Sequence, residues 1–134
     1  MKLFLFIVLI GISSHAYADQ TAGNIIQVSR KLRMSHLEPL PPKEFYIDLG
    51  ARDGVKAGDI LEVFRMLPVV NSMSGGAWHL MKVTLGDIKV TLVGDSTSIG
   101  RIATEREPAS LPSIEYQGFM VGDQVETRSQ LPSH

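Results

Sequence analysis

Alternating apolar and polar residues dominate the chain after residue 42, and this alternation predicts β-strands. In EFYIDL the apolar residues Phe45, Ile47 and Leu49 share one face, which is the two-residue period of a half-buried strand. The same period recurs in LMKVTL and DIKVTLV, and TSIGRIAT and DQVETR are further short β-type runs. In DILEVFRML both faces are apolar, so this strand is expected at the centre of a sheet.

Turn signals separate these segments. Asp53-Gly54, Gly75-Gly76 and Gly94-Asp95 are dipeptides typical of turns. Gly86-Asp87 is compatible with a turn or with a bulge inside one long strand. No amphipathic helix pattern follows Pro42. The sequence therefore predicts an all-β fold, either a small antiparallel barrel or a sandwich of five to seven short strands.

The segment before these strands has a weaker pattern. Between Ile26 and Met34 the apolar residues mostly alternate, which favours a strand, although a helix face fits the same spacing. Three prolines between Pro39 and Pro42 then predict an extended connector that cannot join a central strand. We divide the chain into an N-terminal arm with a proline-rich connector (19–42), a barrel-like domain (43–128) and a flexible tail (129–134).

Residues 1–18 have the organisation of a cleaved signal peptide. Lys2 provides a positive start, residues 3–12 form an apolar run of ten, and Ala16-Tyr17-Ala18 matches the A-x-A cleavage pattern. The run is shorter than the roughly 20 residues that a membrane-spanning helix needs. The alternative is a buried N-terminal strand or helix. We expect cleavage after Ala18 and a periplasmic or secreted protein of 116 residues.

The composition of the mature chain narrows the possible partners. Its length suits one domain, and the absence of cysteine excludes disulfides. Its 12 basic and 14 acidic residues give a net charge of −2, without a run of basic residues typical of nucleic-acid or anionic-lipid binding. We therefore expect no nucleic-acid partner and no transmembrane span; the oligomeric state is left open.

The glycine-rich stretch LGARDGVKAGDILEVFR is a candidate ligand loop, but its spacing matches neither a phosphate-binding loop nor a calcium loop. We interpret it as two turns separated by a buried Val55 and followed by a strand. In such turns glycine takes a positive φ, and the aspartate accepts a bond from the backbone N–H two residues further on. The predicted structural turn residues are Gly50, Asp53, Gly54, Gly58, Asp59, Gly122 and Asp123.

The sequence also lacks clear motifs for metal binding or catalysis. His36, His79 and His134 have no partner at metal-ligand spacing, and no thiolate ligand exists. Glu105 and Glu107 flank Arg106, and we interpret them as residues of a surface loop rather than as an acid–base pair. We expect no catalytic residues, no metal and no cofactor, and we do not expect an enzyme.

Two segments remain candidates for contact with a partner. LPVVNSMSGGAWHLM predicts a long loop with Met73, Trp78 and His79 as partner-binding residues, because long loops with large apolar groups often bind something. The alternative, which we favour at this point, is that Trp78 caps one end of the barrel core. PASLPSIEYQGFM predicts a segment that folds back over the core through Ile114, Tyr116, Phe119 and Met120.

The chain from Pro41 to Val125 also resembles a bacterial envelope domain. Its motifs are YIDLGARDGVKAGDILEVFR, LGDIKVTLVGDSTSIGRI and FMVGDQVE, and they are similar to the C-terminal domain of flagellar assembly protein T and to modules that follow peptidoglycan-binding LysM repeats. The matching positions are Gly50, Asp53, Gly54, Val55, Gly58, Asp59, Arg65, Gly86, Val90, Ser98, Gly122, Asp123 and Val125.

This resemblance implies a compact β-barrel without catalysis that works in a periplasmic assembly. The chain departs from it because no LysM repeat precedes the pattern within these 134 residues. We therefore expect a non-catalytic envelope module that docks onto a protein assembly, flagellar or other. The alternative is a peptidoglycan- or carbohydrate-binding module that uses Trp78 as a stacking platform.

Overall fold

The computed structural model describes residues 21–111 and 117–128. Within these ranges the chain forms six β-strands and three short 3₁₀ helices, and no α-helix. The strands are β1 (Ala22–Arg30), β2 (Lys43–Ile47), β3 (Ile60–Asn71), β4 (Ala77–Val93), β5 (Ser98–Glu105) and β6 (Gln124–Thr127). The 3₁₀ helices are Ala51–Asp53, Ser72–Ser74 and Pro108–Ser110.

The six strands close into one antiparallel barrel. Their spatial order is β1-β2-β5-β4-β3-β6, and β6 closes the barrel by pairing with β1. Closure leaves no free sheet edge around the barrel wall. The prediction of an all-β antiparallel fold is confirmed, and of the two architectures that the sequence allowed the barrel is the correct one.

The barrel interior is filled by the alternating apolar residues of the strands. Phe45 and Ile47 are fully buried and Leu49 is 4% exposed, so the alternation in β2 predicted the inward face correctly. Val55 is buried beneath the glycine turns, also as predicted. Phe119 enters the core from the segment before β6, and its ring meets that of Phe45 edge-on at 5.6 Å between centroids. Further buried core residues are Ile25, Leu61, Val63, Val83, Leu85, Ile88, Val90 and Val125.

Strand β1 lies before the domain boundary that the sequence placed at residue 43. It pairs with β2 through Ile25–Arg30 and with β6 through Ala22–Asn24, and Ile25 is buried in the core. The barrel therefore begins at Ala22, and the arm assigned to 19–42 is divided. Its first half is a barrel strand, and its second half, residues 31–42, is the loop that joins β1 to β2.

Strand β4 is one long strand where the sequence suggested two short ones. Gly86-Asp87 lies inside it beside register shifts against β3 and β5, which confirms the bulge interpretation. A Cβ at Gly86 would meet the Thr104 carbonyl oxygen at 2.1 Å, so the neighbouring strand leaves room only for glycine.

Some predictions concern parts of the chain that the structure does not describe. The signal peptide (1–18), the tail (129–134), and Ile114 and Tyr116 lie outside the described residues. Of the segment expected to fold over the core, Phe119 is buried and Met120 is 48% exposed, so Phe119 alone of these two contacts the core.

Candidate functional site

The segment interpreted as a long loop is a β-hairpin that continues β3 and β4 beyond the barrel. Strand β3 pairs with β6 only at Leu61–Phe64, and β4 pairs with β5 only at Gly86–Val93. Between these regions β3 and β4 pair with each other up to Asn71 and Ala77. We call residues 66–81 the hairpin arm. Among the described residues its strands pair only with each other.

The tip of the hairpin arm is a closed five-residue turn. The Asn71 carbonyl accepts a hydrogen bond from Gly76 N at 3.1 Å, and the Asn71 side chain accepts one from Met73 N at 3.0 Å. Gly75 and Gly76 both have positive φ, 70° and 84°. These contacts explain how β3 reverses into β4 without the long loop that the sequence suggested.

The register divides the hairpin arm into two faces, because residues directly opposite in an antiparallel pair share a face. The outer face carries the pairs Val70–Trp78 and Pro68–Leu80. The opposite face carries Val69–His79 and Leu67–Met81. It continues the inner wall of the barrel, and Leu67 packs against the core. Trp78 and His79 were predicted to act together, but they lie on opposite faces.

The apolar side chains of the arm are open to water. Trp78 is 70% exposed and Leu80 is 69% exposed, and Met73 at the tip is 95% exposed. The sequence favoured Trp78 as a cap on the core. That interpretation is wrong, because Trp78 lies on the outer face of the arm, outside the part of β4 that pairs with β5. The arm contains no Asp, Glu, Lys or Arg between residues 66 and 81. Apolar surface of this kind is typical of interaction sites, which makes the outer face of the arm the candidate site.

An ion pair fixes the base of the arm to the barrel. Arg65 donates to both carboxylate oxygens of Asp123, from Nε at 2.6 Å and from Nη2 at 2.9 Å, and Asp123 is almost fully buried. The same Asp123 carboxylate accepts the backbone N–H of Met120 at 2.8 Å. A bidentate pair of this geometry orients both partners, so Arg65 holds the beginning of the arm against the turn that precedes β6.

A second contact at the base lies on the outer face. The Lys82 ammonium lies 4.2 Å above the centre of the Phe64 ring and pairs with Glu126 and, at 3.4 Å, with Glu62. The hydrogen bond to Glu126 raises the pKa of Lys82 above its usual 10.5, and partial burial opposes this only in part. The charged residues thus end where the arm begins, and the apolar surface starts beyond them.

The predicted turn residues form turns, but their aspartates bond in the direction opposite to the one expected. Each carboxylate accepts a hydrogen bond from the backbone N–H of the residue three positions earlier. The predicted bond from the backbone N–H two residues further on is therefore wrong. The bonds run from Gly50 N to Asp53 at 3.0 Å, from Lys56 N to Asp59 at 2.9 Å, and from Met120 N to Asp123 at 2.8 Å. The backbone N–H of each of these aspartates also donates to the carbonyl oxygen of the same earlier residue. Two hydrogen bonds therefore close each turn.

Glycine is required in these turns for two different reasons. Gly54, Gly58 and Gly122 have φ between 84° and 94°. Gly50 has an extended backbone, but a Cβ there would lie 2.5 Å from the Asp95 carbonyl oxygen. Both reasons are structural.

An open pocket of about 520 Å³ lies beside these turns and is lined by Asp53, Gly54, Gly58, Asp59 and Arg128, among others. One oxygen of each aspartate is already bound to a turn N–H. In the two described ranges no three His, Asp or Glu side chains are grouped so that they could hold a metal ion.

Sequence reasoning identified Met73, Trp78 and His79 but missed Pro68, Val70 and Leu80. The missed signal was the Gly75-Gly76 pair between two apolar runs, LPVV and AWHLM, which is compatible with a hairpin. A comparison with protein-family models and with curated proteins finds no match. No helix within residues 21–111 and 117–128 is both long and apolar enough to cross a bilayer.

Proposed function

We propose that this protein is a non-catalytic module of the bacterial envelope that docks onto a protein partner through the hairpin arm. The observation that carries this proposal is the outer face of the arm, where Trp78, Leu80 and Val70 are exposed without a charged residue nearby. A two-stranded ribbon is marginally stable by itself in water. A partner that covers the outer face would bury this apolar surface and stabilise the ribbon.

The envelope location in this proposal comes from the first 18 residues and from the resemblance to flagellar and LysM-associated domains. Export through a cleaved signal peptide predicts that the protein in the periplasmic fraction begins at Asp19. N-terminal sequencing of the fractionated protein tests this point. Protein that retains Met1 in the cytosol would contradict it.

The alternative function is peptidoglycan or carbohydrate binding, and the exposure of Trp78 is the observation that favours it. A sugar-binding site also needs polar groups beside the aromatic ring that orient the hydroxyls. The neighbours of Trp78 on the outer face are Val70, Pro68 and Leu80, which offer no side-chain hydrogen bond. The surroundings of the ring therefore favour a protein partner.

The test uses Trp78 as an internal probe, because it is the only tryptophan of the chain. Its emission in the free protein should be red-shifted and readily quenched by iodide, since the side chain is 70% exposed. Chemical crosslinking in the native envelope should then capture a protein partner with the wild-type chain. Trp78→Ser combined with Leu80→Ser should abolish capture without lowering the melting temperature.

Leu92→Ser is the matched control, because Leu92 is a 62% exposed apolar residue of β4 outside the arm. It should leave capture unchanged. Equal capture by the wild type and the double variant would contradict docking through the arm. Sedimentation with purified peptidoglycan that is lost in Trp78→Ser but kept in Leu80→Ser would support the alternative function instead.

A further inference from the structure

The loop between β1 and β2, residues 31–42, carries a second set of exposed apolar side chains. Leu32, Met34 and Leu37 are between 88% and 96% exposed, and Leu40 is 62% exposed. The loop is held by its own polar atoms: Glu38 N donates to the Ser35 carbonyl at 3.2 Å, and Arg33 lies 3.4 Å from the Glu38 carbonyl. These apolar side chains therefore project into water from a loop that is itself folded.

Cations gather at the foot of the same loop. Arg30 and Lys43 are directly opposite each other in the β1–β2 register, and together with Arg101 of β5 they line one surface pocket. Like charges at opposite positions destabilise a sheet. Among the described residues neither Arg30 nor Lys43 forms an ion pair; Arg101 pairs with Glu44 at 3.1 Å. An anion at this pocket would compensate the repulsion.

The surroundings of the loop are basic as a whole. Lys31 and Arg33 extend the three cations of the pocket into the loop itself, and the acidic residues of this region are Glu38 and Glu44. The loop and its foot thus carry five cations and two carboxylates. Arg101 is far from the others in the chain and joins them only through the β2–β5 pairing, so the group is not a run of basic residues in the sequence.

The strand register also places the loop and the hairpin arm at the same end of the barrel. Strand β1 ends at Arg30 and β2 begins at Lys43, beside the second half of β5. The end of β5 pairs with β4 at Gly86, and the hairpin arm lies beyond this point in the same direction. The turns at Gly54 and Gly58, between β2 and β3, close the opposite end.

We propose that the loop 31–42 binds the surface of an anionic phospholipid bilayer. Leu32, Met34 and Leu37 enter the boundary between headgroups and acyl chains, while Arg30 and Lys43 meet lipid phosphates. A basic surface with protruding apolar side chains matches both layers of such an interface. A nucleic acid would satisfy the cations but leave the leucines in water, and a partner of purely apolar surface would leave the cations without counter-charges.

The test is co-sedimentation of the purified protein with vesicles. One set contains phosphatidylglycerol and phosphatidylethanolamine, and the other contains phosphatidylcholine alone. Partition should be far stronger onto the anionic vesicles and should weaken at high salt, since salt screens charges at the surface. Arg30→Gln combined with Lys43→Gln should lower partition about 30-fold, because each cation near an anionic surface contributes roughly a factor of five. Met34→Ser combined with Leu37→Ser should lower it at least about tenfold.

Arg52→Gln combined with Lys56→Gln is the matched control, because it removes two cations at the opposite end of the barrel; it should leave partition unchanged. Equal binding to both vesicle types, no binding by folded protein, or an equal loss in this control pair would overturn the proposal. Partition that is lost in Trp78→Ser with Leu80→Ser but kept in both loop variants would assign the bilayer contact to the hairpin arm instead. Circular dichroism confirms that each variant is folded.

Discussion

At the scale of single residues, three turn aspartates bind the backbone. Asp53, Asp59 and Asp123 each bind the N–H of the residue three positions earlier. A carboxylate that accepts such a bond replaces a missing backbone partner in a turn. The residues that most resemble ligands in the sequence are therefore explained by the geometry of the turns.

Gly54→Val tests this explanation at one residue. Gly54 has a φ of 84°, and a Cβ there would meet no atom within 4 Å, so any loss of stability comes from the backbone alone. A β-branched residue resists positive φ. The variant should lose more than about 1 kcal/mol of unfolding free energy, or at least about 4 °C in melting temperature.

Lys56→Ala is the control for Gly54→Val, because it removes a side chain from the same turn and leaves the backbone unchanged. It should alter stability by less than about 0.5 kcal/mol. An unchanged melting temperature in Gly54→Val would contradict the need for a left-handed conformation at this position.

At the scale of secondary-structure elements, the sequence was informative wherever one face of a strand meets the core. The alternation in β2, and in β4 as far as Val90, follows the inward positions correctly, since burial imposes the two-residue period. Beyond Val90 the alternation of DIKVTLV fails, because a register shift between Val90 and Leu92 leaves Leu92 62% exposed. The hairpin arm has no core on its outer face, so burial imposes no such period there. Pro68 lies within β3, although proline lacks the N–H that a central strand needs. An arm with an open edge tolerates it.

Strand β1 was favoured by the sequence but assigned to the arm outside the barrel, for a related reason. Ile25 is its deepest residue, whereas Ile26 is 50% exposed, and a register shift separates the β2 partners of Ile25 and Gln27. The shift breaks the alternation that would have identified the inward face. The Arg65–Asp123 pair was equally hidden, because the pairing of β3 with β6 brings together residues 58 positions apart.

Asp123→Asn tests the connection between the arm and the barrel. It leaves a partly buried Arg65 with a neutral partner in place of a carboxylate bound through two oxygens. Breaking a buried pair from one side typically costs about 3 kcal/mol, and urea unfolding followed by circular dichroism measures the loss. Asp95→Asn, at an exposed turn, should change stability little. A loss in Asp123→Asn no larger than in Asp95→Asn would contradict the role of this pair.

At the scale of the whole molecule, the two ends of the barrel differ in kind. One end is closed by turns that satisfy their own backbone groups. From the other end project the hairpin arm, without charge, and the loop 31–42, with both cations and leucines. Most apolar side chains of both projections are exposed, whereas Leu67 at the base of the arm packs against the barrel core. The two surfaces that we propose for a protein partner and for a bilayer thus lie at one end of the barrel.

Removal of the arm tests whether these two projections act independently. Leu67 and Met81 are opposite each other in the register, so Pro68–Leu80 can be replaced by Asn-Gly, which closes a two-residue hairpin. The shortened protein should stay folded with an unfolding free energy within about 1 kcal/mol of the wild type, because only the loop-closure entropy changes. It should lose partner capture and keep its partition onto anionic vesicles, whereas Met34→Ser with Leu37→Ser should do the reverse. Loss of both activities in the folded, shortened protein would contradict this independence. It would mean that the hairpin arm and the loop 31–42 form one shared binding surface.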